Sequence, residues 1–320
     1  MSARKVVVTG ATGHLGRSVV ALCARSAEVV AASRSGALPE PPYGEREPPS
    51  SNVRGLALDI ESETAVAILE RELGPGVALV HLAAWHPPRT AGTTPDERAR
   101  LVEVNVLGTM RVLEAARRRA STAGVASVVY ASSFEVYGLP THAGAVVETD
   151  RVNPVTDYGA TKLSGEDHLL AFAYEEKVRA VALRFPAIYG PGELTERALP
   201  HFLRLVAEGR RPVIAGNGQG LHDQVHVRDA ARAIRLALES SACGIFNLAD
   251  GEPHSILELA REAMRMAGVA GEPERVPEQE AHSGFHMSID AARRVLGFEP
   301  SVTLADGMRE QLTWLRRSLT

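Results

Sequence analysis

The sequence predicts an α/β protein whose doubly wound parallel sheet is covered by helices on both faces, with a smaller C-terminal α/β lobe. Short apolar segments alternate with helical patterns as far as residue 184, and right-handed βαβ crossovers produce this order. The predicted strands, such as VALVHLAA and ASVVYAS, are almost continuously apolar, as a sheet buried on both faces requires. Beyond residue 185 prolines and glycines interrupt the pattern, which indicates the separate lobe.

Each element follows from the local spacing of apolar residues. The segment KVVVT at 5–9 is rich in β-branched residues and stops at Gly10, after which apolar residues recur at helical spacing. Further strands are predicted near 28–32, 53–58, 77–82, 126–132 and 179–184, and further helices near 63–72, 95–120 and 156–177. The C-terminal part predicts shorter helices near 195–208, 229–240, 255–267 and 303–318.

Charge and composition exclude several classes of partner. The chain has 35 Lys and Arg against 39 Asp and Glu, a formal charge of -4, which gives no long-range attraction for a phosphate backbone or an anionic membrane. No apolar run approaches the roughly 18 residues of a membrane-spanning helix. We therefore expect neither nucleic acid nor a membrane as a partner.

Cysteine usage and the start of the sequence indicate a cytoplasmic protein. Cys23 and Cys243 are far apart, which suits a reducing compartment, and the His and Cys residues lack metal-ligand spacing, so no metal is expected. MSARKVVVTG leads directly into a strand pattern without the features of a signal peptide.

The segment TGATGHLG at 9–16 carries the first chemical signal. Its glycines are spaced three and three, where a strand meets a helix N-terminus. Gly10 permits the turn, Gly13 lets a pyrophosphate approach the backbone amides, and Gly16 allows close packing of helix on strand. An ordinary tight turn is the alternative. We expect a Rossmann-type dinucleotide-binding domain over 1–184 and 221–248, and a substrate-binding lobe over 185–220 and 249–320.

The end of the second predicted strand favours NADP over NAD, although NAD remains an alternative. Proteins that bind the free 2'-hydroxyl of the NAD ribose usually have an Asp or Glu there. This strand instead ends in Ser33 and Arg34. A guanidinium suits a 2'-phosphate. The alternative for Arg34 is an ordinary solvent-exposed arginine.

A tyrosine and a lysine open the predicted helix at 156–177. Tyr158 and Lys162 are four residues apart and therefore share a helix face, where the ammonium can lower the pKa of the phenol. The preceding strand ends in Ser132 and Ser133, so a substrate oxygen could be held between a serine and the tyrosine.

These motifs resemble those of extended short-chain dehydrogenases/reductases of the NAD-dependent epimerase/dehydratase family, over essentially the whole chain. Besides TGATGHLG and YGATK, the resemblance is carried by LDI at 58–60, VHLAA at 80–84, VNVLGT at 104–109, YASSFEVYG at 130–138, LRFPAIYGPG at 183–192, HDQVHVRDAA at 222–231 and LGFEP at 296–300.

The resemblance implies roles for individual residues. Ser133 would orient the substrate hydroxyl, Tyr158 would be the acid/base, and Lys162 would bind the nicotinamide ribose and lower the pKa of the tyrosine. The expected cofactor contacts are Gly10, Thr12, Gly13, His14, Leu15, Gly16, Ser33, Arg34, Asp59, Ile60, Leu82, Ala83, Ala84, Asn105, Ser132, Tyr158, Lys162, Pro186 and Ile188. Among them, Asp59 would hold the adenine amine. Asn105 would support the proton relay, or else make a structural contact between helices.

Substrate contacts are expected from residues near the predicted tyrosine. They are Trp85, His86, Phe134, Glu135, Ala187 and His222. For Trp85 and His86, packing and solvent exposure are the alternative. The resemblance also implies a homodimer formed by the helices near 95–120 and 156–177. Its apolar stripe would come from Leu101, Val104, Leu107, Leu169 and Leu170.

Three departures from the family pattern bear on the reaction. Sugar-nucleotide 4,6-dehydratases have Asp-Glu after the catalytic Ser/Thr, where this chain has Phe134-Glu135. Many nucleotide-sugar enzymes have Asn at the position of Ala187 and Arg at that of His222. The first departure disfavours the 4,6-dehydratase reaction, although Glu135 could serve a different elimination, and the other two count against a typical sugar diphosphonucleotide as substrate. Because the SSxxVYG and YGPG architecture is similar to that of the epimerases, we expect an epimerase that removes hydride from a secondary alcohol of a sugar-like, nucleotide-sugar-like substrate and returns it to the other face. An NADPH-dependent ketoreductase or dehydrogenase is the alternative. A non-catalytic dinucleotide sensor is disfavoured, because Ser133, Tyr158 and Lys162 are all present.

Overall fold

A parallel sheet of seven strands forms the centre of the structure, as far as the chain is described. The computed structural model describes residues 4–40, 51–88, 93–120, 124–139, 142, 144–193, 195, 197–277, 284 and 286–318. The strands are β1 (Lys5–Thr9), β2 (Glu28–Ser33), β3 (Val53–Ala57), β4 (Val77–His81), β5 (Ser127–Ser133), β6 (Ala180–Phe185), β7 (Ala187–Tyr189), β8 (Val213–Ala215), β9 (Leu221–His222), β10 (Gln224–His226), β11 (Gly244–Asn247), β12 (His254–Ser255) and β13 (Glu274–Val276). The central sheet has the order β11-β6-β5-β4-β1-β2-β3, and all its neighbours are parallel.

The helices connect these strands and cover both faces of the sheet. They are α1 (His14–Cys23), α2 (Ala65–Glu70), α3 (Pro95–Leu101), α4 (Gly108–Ala120), α5 (Asp157–Glu176), α6 (Ala198–Ala207), α7 (Val227–Glu239), α8 (Ile256–Ala267) and α9 (Leu304–Ser318). The helix predicted over 95–120 is divided, because a π-helical segment, Val102–Leu107, joins α3 to α4. Among the helices that the structure describes, none combines the length and hydrophobicity needed to cross a bilayer.

Alternate residues of the central strands pack on opposite faces of the sheet. Val6 and Val8 of β1 belong to the core beneath α1 and α7. Val7, between them, belongs to the core beneath α2, α4 and α5. A third cluster joins α6, α8 and α9 and forms the core of the C-terminal part. This arrangement is the double cover that continuously apolar strands require.

The predicted fold class is confirmed, and the local differences include the strand β11 and three residues of the expected dimer stripe. The strand β11 was not predicted, because it contains only the four residues GIFN and its apolar run is too short to mark a strand. Leu101, Val104 and Leu169 are buried inside the protomer, so they cannot contribute to a dimer stripe, whereas Leu107 and Leu170 are exposed.

The strand order reverses between β1 and β4, and this reversal positions the site. In open α/β sheets a crevice forms at such a switch point, outside the carboxyl ends of the strands. Here those ends are Thr9 of β1, His81 of β4, Ser133 of β5 and Phe185 of β6. The residues that follow them should therefore line one crevice.

Candidate active site

Three adjoining spaces follow this edge of the sheet. The β2 pocket, about 280 Å³, lies by Ser33, Arg34 and Asp59. The central crevice, about 480 Å³, lies between the turn after β1 and Tyr158. The lobe cavity, about 450 Å³, extends from Tyr158 to His222. Neighbouring spaces share wall residues, so together they could hold one elongated ligand and its reaction partner.

The turn between β1 and α1 requires glycine at two positions. Gly10 has φ of +69°, and a Cβ there would lie 2.7 Å from the backbone nitrogen of Ala83. A Cβ on Gly16 would lie 2.1 Å from the carbonyl oxygen of Gly10. Gly13 caps α1 without a side chain, which leaves the positive helix terminus open to the crevice. The turn therefore fits the pyrophosphate of a dinucleotide.

The residues expected at the cofactor line two of the three spaces. The β2 pocket is lined by Gly10, Thr12, Gly13, Ser33, Arg34, Asp59, Ile60, Leu82, Ala83 and Ala84. The central crevice is lined by Gly10, Gly13, His14, Leu15, Gly16, Leu82, Ala84, Ser132, Ser133, Tyr158, Lys162, Pro186 and Ile188. The geometry thus brings nearly all of the expected cofactor set to one continuous surface.

Asn105 is the exception, since it lies behind this surface. Its Nδ2 donates to the carbonyl oxygen of Trp85 at 2.9 Å and to Thr161 Oγ1 at 3.1 Å, and its Oδ1 accepts from the Trp85 backbone nitrogen at 2.8 Å. The side chain is buried. In this structure Asn105 makes the structural contact, fixing the loop after β4 against α5.

Trp85 shows the packing that was the alternative to a substrate contact. Its side chain lines the β2 pocket and not the lobe cavity, packs against the core beneath α2 and α4, and lies 5.0 Å beneath the guanidinium of Arg100. The hydrogen bonds of its backbone to Asn105 hold this orientation. Its place is therefore on the cofactor side.

A neutral histidine joins β1, β4 and α4 behind the crevice. Burial, reinforced by the charge of Lys162, lowers the pKa of His81 to about 3. Its ring nitrogens lie 2.7 Å from Thr9 Oγ1 and 3.0 Å from Thr109 Oγ1. The hydroxyl of Thr109 donates to the carbonyl oxygen of Asn105 at 2.6 Å. His81 therefore works as one donor and one acceptor in the sheet and carries no charge at neutral pH.

Ser133, Tyr158 and Lys162 all line the central crevice, and Tyr158 also lines the lobe cavity. Ser133 ends β5 and caps the 3₁₀ turn Phe134–Val136. Tyr158 and Lys162 lie in the first two turns of α5, which Thr156 caps by accepting from the Gly159 backbone nitrogen at 2.9 Å. The Nζ of Lys162 donates to the carbonyl oxygen of Ala131 at 2.7 Å and lies 5.8 Å from the Tyr158 ring centroid.

Burial dominates the electrostatics of this pair. It lowers the pKa of Lys162 to about 8, against the opposing charge of Glu166. It also raises the pKa of Tyr158 above its ordinary value, with Arg197 lowering it and Glu135 raising it. The expectation that Lys162, together with an oxidised nicotinamide, lowers the pKa of the phenol stays a prediction, because the nicotinamide is part of it. Any further cation near Tyr158 would offset part of the desolvation by burial and lower the pKa of the phenol.

A buried ion pair beneath the site was not predicted. Arg184 of β6 donates from Nε and Nη2 to the two carboxylate oxygens of Glu166, at 2.9 and 2.7 Å. The hydroxyl of Ser132 donates to the same carboxylate at 2.5 Å. Glu166 is four residues after Lys162 and thus on the same face of α5. This spacing was the only signal in the sequence.

The lobe cavity gathers five of the six residues expected at the substrate. His86, Phe134, Glu135, Ala187 and His222 line it, beside Tyr158. Arg197, Asp223 and Gln224 line it too and were not predicted. Burial raises the pKa of Asp223 to about 7, despite the hydrogen bond from the Met287 backbone. The cavity therefore presents cationic, anionic and neutral polar groups among apolar walls.

Comparison with known proteins identifies the family. The family model described as NAD dependent epimerase/dehydratase family matches residues 6–249. The chain belongs to this family. It is accordingly an NAD-dependent epimerase/dehydratase enzyme of the extended short-chain dehydrogenase/reductase type.

Relatives within this epimerase/dehydratase family differ in the reaction that their names give. The dTDP-glucose 4,6-dehydratase of Streptomyces niveus is 31% identical over 98% of this chain and 93% of its own length. The dTDP-4-dehydro-6-deoxy-D-allose reductase of Streptomyces bikiniensis is 30% identical over 98% of this chain and 96% of its own. The UDP-glucose 4-epimerase of Thermus thermophilus, solved with NAD, matches at a TM-score of 0.80 and 27% identity, covering 98% of this chain and 99% of that one.

Proposed function

We propose that this protein is a nucleotide-sugar epimerase, which oxidises a secondary alcohol of its substrate transiently and restores it with inverted configuration. The observation that carries the proposal is that Ser133, Tyr158 and Lys162 line one crevice, from which Tyr158 reaches the wall of the lobe cavity. We also propose that 1–184 and 221–248 form the dinucleotide-binding domain and that 185–220 and 249–320 form the substrate-binding lobe.

Different side chains have separate roles in the proposed reaction. When bound, a nicotinamide dinucleotide supplies the hydride acceptor. Ser133 orients the substrate hydroxyl and Tyr158 removes and returns its proton, a contribution of about 10²- to 10⁴-fold in rate. In the described residues the Tyr158 hydroxyl has no hydrogen-bond partner of its own, so it is available to the substrate. The cavity walls exclude water and orient the sugar.

One position argues against a 4,6-dehydratase, although a relative bears that name. The elimination of a hydroxyl needs an acid that protonates the leaving oxygen. Phe134 stands where the family's dehydratases have that acid, and it lines the lobe cavity. A phenyl ring cannot donate a proton, so an epimerase fits this wall better than a dehydratase.

A net ketoreductase is the second candidate. Arg34, at the exposed rim of the β2 pocket, suits the 2'-phosphate of NADPH. Ala187 and His222 replace residues with which many nucleotide-sugar enzymes hold their substrates. Both observations fit a reductase that acts on a different sugar-like ketone.

Cofactor stoichiometry separates the two candidates. The purified enzyme would be incubated with UDP-glucose, UDP-glucuronic acid, UDP-N-acetylglucosamine and dTDP-glucose, while the absorbance of reduced nicotinamide is followed and the products are separated. We expect one of these to be converted to a stereoisomer without net change in nicotinamide absorbance. Stoichiometric loss of NADPH during reduction of the corresponding keto sugars, or no isomerisation of any of them, would contradict the epimerase.

We propose further that the enzyme prefers NADP through Arg34. Replacing Arg34 with alanine removes a charge-assisted hydrogen bond to a 2'-phosphate, worth about 1.5–3 kcal/mol. The Kd for NADP should therefore rise about 10- to 150-fold while the Kd for NAD stays within about twofold. Arg25→Ala, which removes an exposed arginine distant from the pocket, is the control. An unchanged Kd for NADP in Arg34→Ala, or tighter binding of NAD than NADP by the wild type, would refute the preference.

A homodimer through α4 and α5 is also proposed. A groove of about 470 Å³ lies between these helices, with Val66, Leu107, Met110, Leu113 and Ala171 on its walls. Sedimentation should show a particle of twice 34.2 kDa, and Met110→Glu should yield monomers because Met110 is 42% exposed in the groove. Val295→Glu, at a residue 52% exposed elsewhere, should leave the dimer intact. A wild type that stays monomeric at micromolar concentration would overturn the proposal.

A further inference from the structure

His86 is held in one orientation by its own loop. Its Nδ1 lies 2.7 Å from the carbonyl oxygen of Pro87. A carbonyl oxygen can only accept a hydrogen bond, so Nδ1 must carry a proton. In a neutral imidazole the other nitrogen, Nε2, would then present only a lone pair. The identity of the group that faces Nε2 therefore decides whether the ring is charged.

The group that faces Nε2 is a carboxylate. Glu135 Oε1 lies 3.8 Å from Nε2, and the side chain of Glu135 is only 11% exposed. Burial opposes ionisation of this carboxyl, but the contact with His86, the hydrogen bond from Thr156 and the charge of Arg197 hold its pKa below the usual value. A lone pair facing a carboxylate oxygen is repulsive, whereas a second proton on the ring makes the contact an ion pair. The geometry thus favours the imidazolium.

Glu135 connects this ion pair to the helix that carries the tyrosine. Its Oε2 accepts from Thr156 Oγ1 at 2.8 Å, and the same Oγ1 accepts from the Gly159 backbone nitrogen at 2.9 Å. The helix start also packs tightly on this turn, since a Cβ on Gly159 would lie 2.5 Å from the carbonyl oxygen of Glu135. A displacement of Glu135 would consequently move the first turn of α5.

The ring of His86 also touches the phenol directly. Its centroid lies 4.5 Å from that of Tyr158, with the planes inclined by 55°. A cation at this distance is attracted to the aromatic ring, and its charge stabilises the phenolate of Tyr158. Lys162 approaches the same ring from the crevice side, at 5.8 Å. The other charged or titratable side chains on these walls are His14, Glu135, Asp157, Tyr158, Lys162, Glu193, Arg197, His222 and Asp223.

We propose that His86 is a positioning residue, an imidazolium that pairs with Glu135 and fixes the Tyr158 phenol from the substrate side. Three cations then surround Tyr158: Lys162 on the central crevice, and His86 and Arg197 on the walls of both spaces. The charge of His86 adds to that of Arg197 in offsetting part of the desolvation that makes this buried phenol hard to ionise. The kinetic readout of this proposal rests on the proposed function, whereas its spectroscopic readout does not.

The ionisation of Tyr158 tests the proposal directly. Phenolate absorbance near 295 nm would be titrated in wild type, His86→Gln and His86→Lys, each saturated with NADP or NAD, whichever binds more tightly, and each minus the same protein with Tyr158→Phe. We expect the midpoint to rise by about one pH unit in His86→Gln and to return to or below the wild-type value in His86→Lys, which keeps the charge. Equal midpoints in wild type and His86→Gln would overturn the proposal.

Turnover supplies the second readout. With the panel sugar that isomerises, the rise of kcat with pH should move upwards by the same amount in His86→Gln, with kcat at pH 7 falling about tenfold and KM little changed. His201→Gln, on α6, is the matched control and should leave the profile unchanged. If His86→Gln misfolds by circular dichroism, His86→Asn replaces it. If no sugar isomerises, the proposed function fails, yet the titration still decides the role of His86.

Discussion

Replacing Tyr158 with phenylalanine is expected to lower kcat about 10²- to 10⁴-fold, the usual contribution of a positioned acid/base. The change removes one oxygen and keeps the ring, so its packing against His86 is preserved. Cofactor affinity should stay within about threefold, because the glycine turn and the hydrogen bond from Lys162 to the Ala131 carbonyl do not involve the phenol oxygen. The measurements are steady-state turnover and cofactor titration.

Tyr174→Phe is the matched control for this substitution. It makes the same chemical change on the same helix, at a side chain that is 77% exposed, and should leave kcat unchanged. A Tyr158→Phe enzyme with more than about a tenth of wild-type turnover would show that another group moves the proton.

Replacing Glu166 with glutamine should cost about 3–5 kcal/mol of the free energy of unfolding. Both ends of the Glu166–Arg184 pair are buried, with side-chain exposures of 1% and 3%. The substitution leaves the guanidinium without a counter-charge in a place that water does not reach. The free energy of unfolding of a typical domain is about 5–15 kcal/mol. The variant should therefore be close to unfolding at 37 °C. Urea denaturation measures the loss.

An exposed ion pair provides the comparison for this prediction. Glu262 pairs with Arg265, whose side chain is 68% exposed, so Glu262→Gln should cost no more than about 1 kcal/mol. If Glu166→Gln were as stable as Glu262→Gln, the buried pair would not hold the site together. Its contact with Ser132 would then need another explanation.

The parts of the site that the sequence predicted are those encoded in contiguous segments. The glycine spacing in 9–16 and the four-residue separation of Tyr158 and Lys162 are local, and the ends of parallel strands meet by topology. Most residues that line the site could be predicted from these facts, and the structure brings them to the crevice and the lobe cavity.

The remaining features depend on contacts between distant segments. Arg197 and Asp223 line the lobe cavity because loops from the C-terminal part pack over the crevice. No local sequence pattern predicts their place there. Trp85 was a candidate for substrate contact, with packing as the alternative, and the two hydrogen bonds between its backbone and Asn105 hold it towards the β2 pocket. The partner of Glu166 on α5 is Arg184, eighteen residues away on β6, and the burial of both could not be inferred from spacing.

The retention of a hydrogen isotope tests the central claim most directly. A nucleotide sugar carrying deuterium on the carbon that inverts would be converted by the enzyme with catalytic cofactor, and the product analysed by NMR and mass spectrometry. Transient oxidation at the carbon whose hydroxyl faces Tyr158 predicts that the epimer keeps its deuterium on that same carbon. Exchange of the label with solvent, or its recovery in released reduced nicotinamide, would contradict this mechanism.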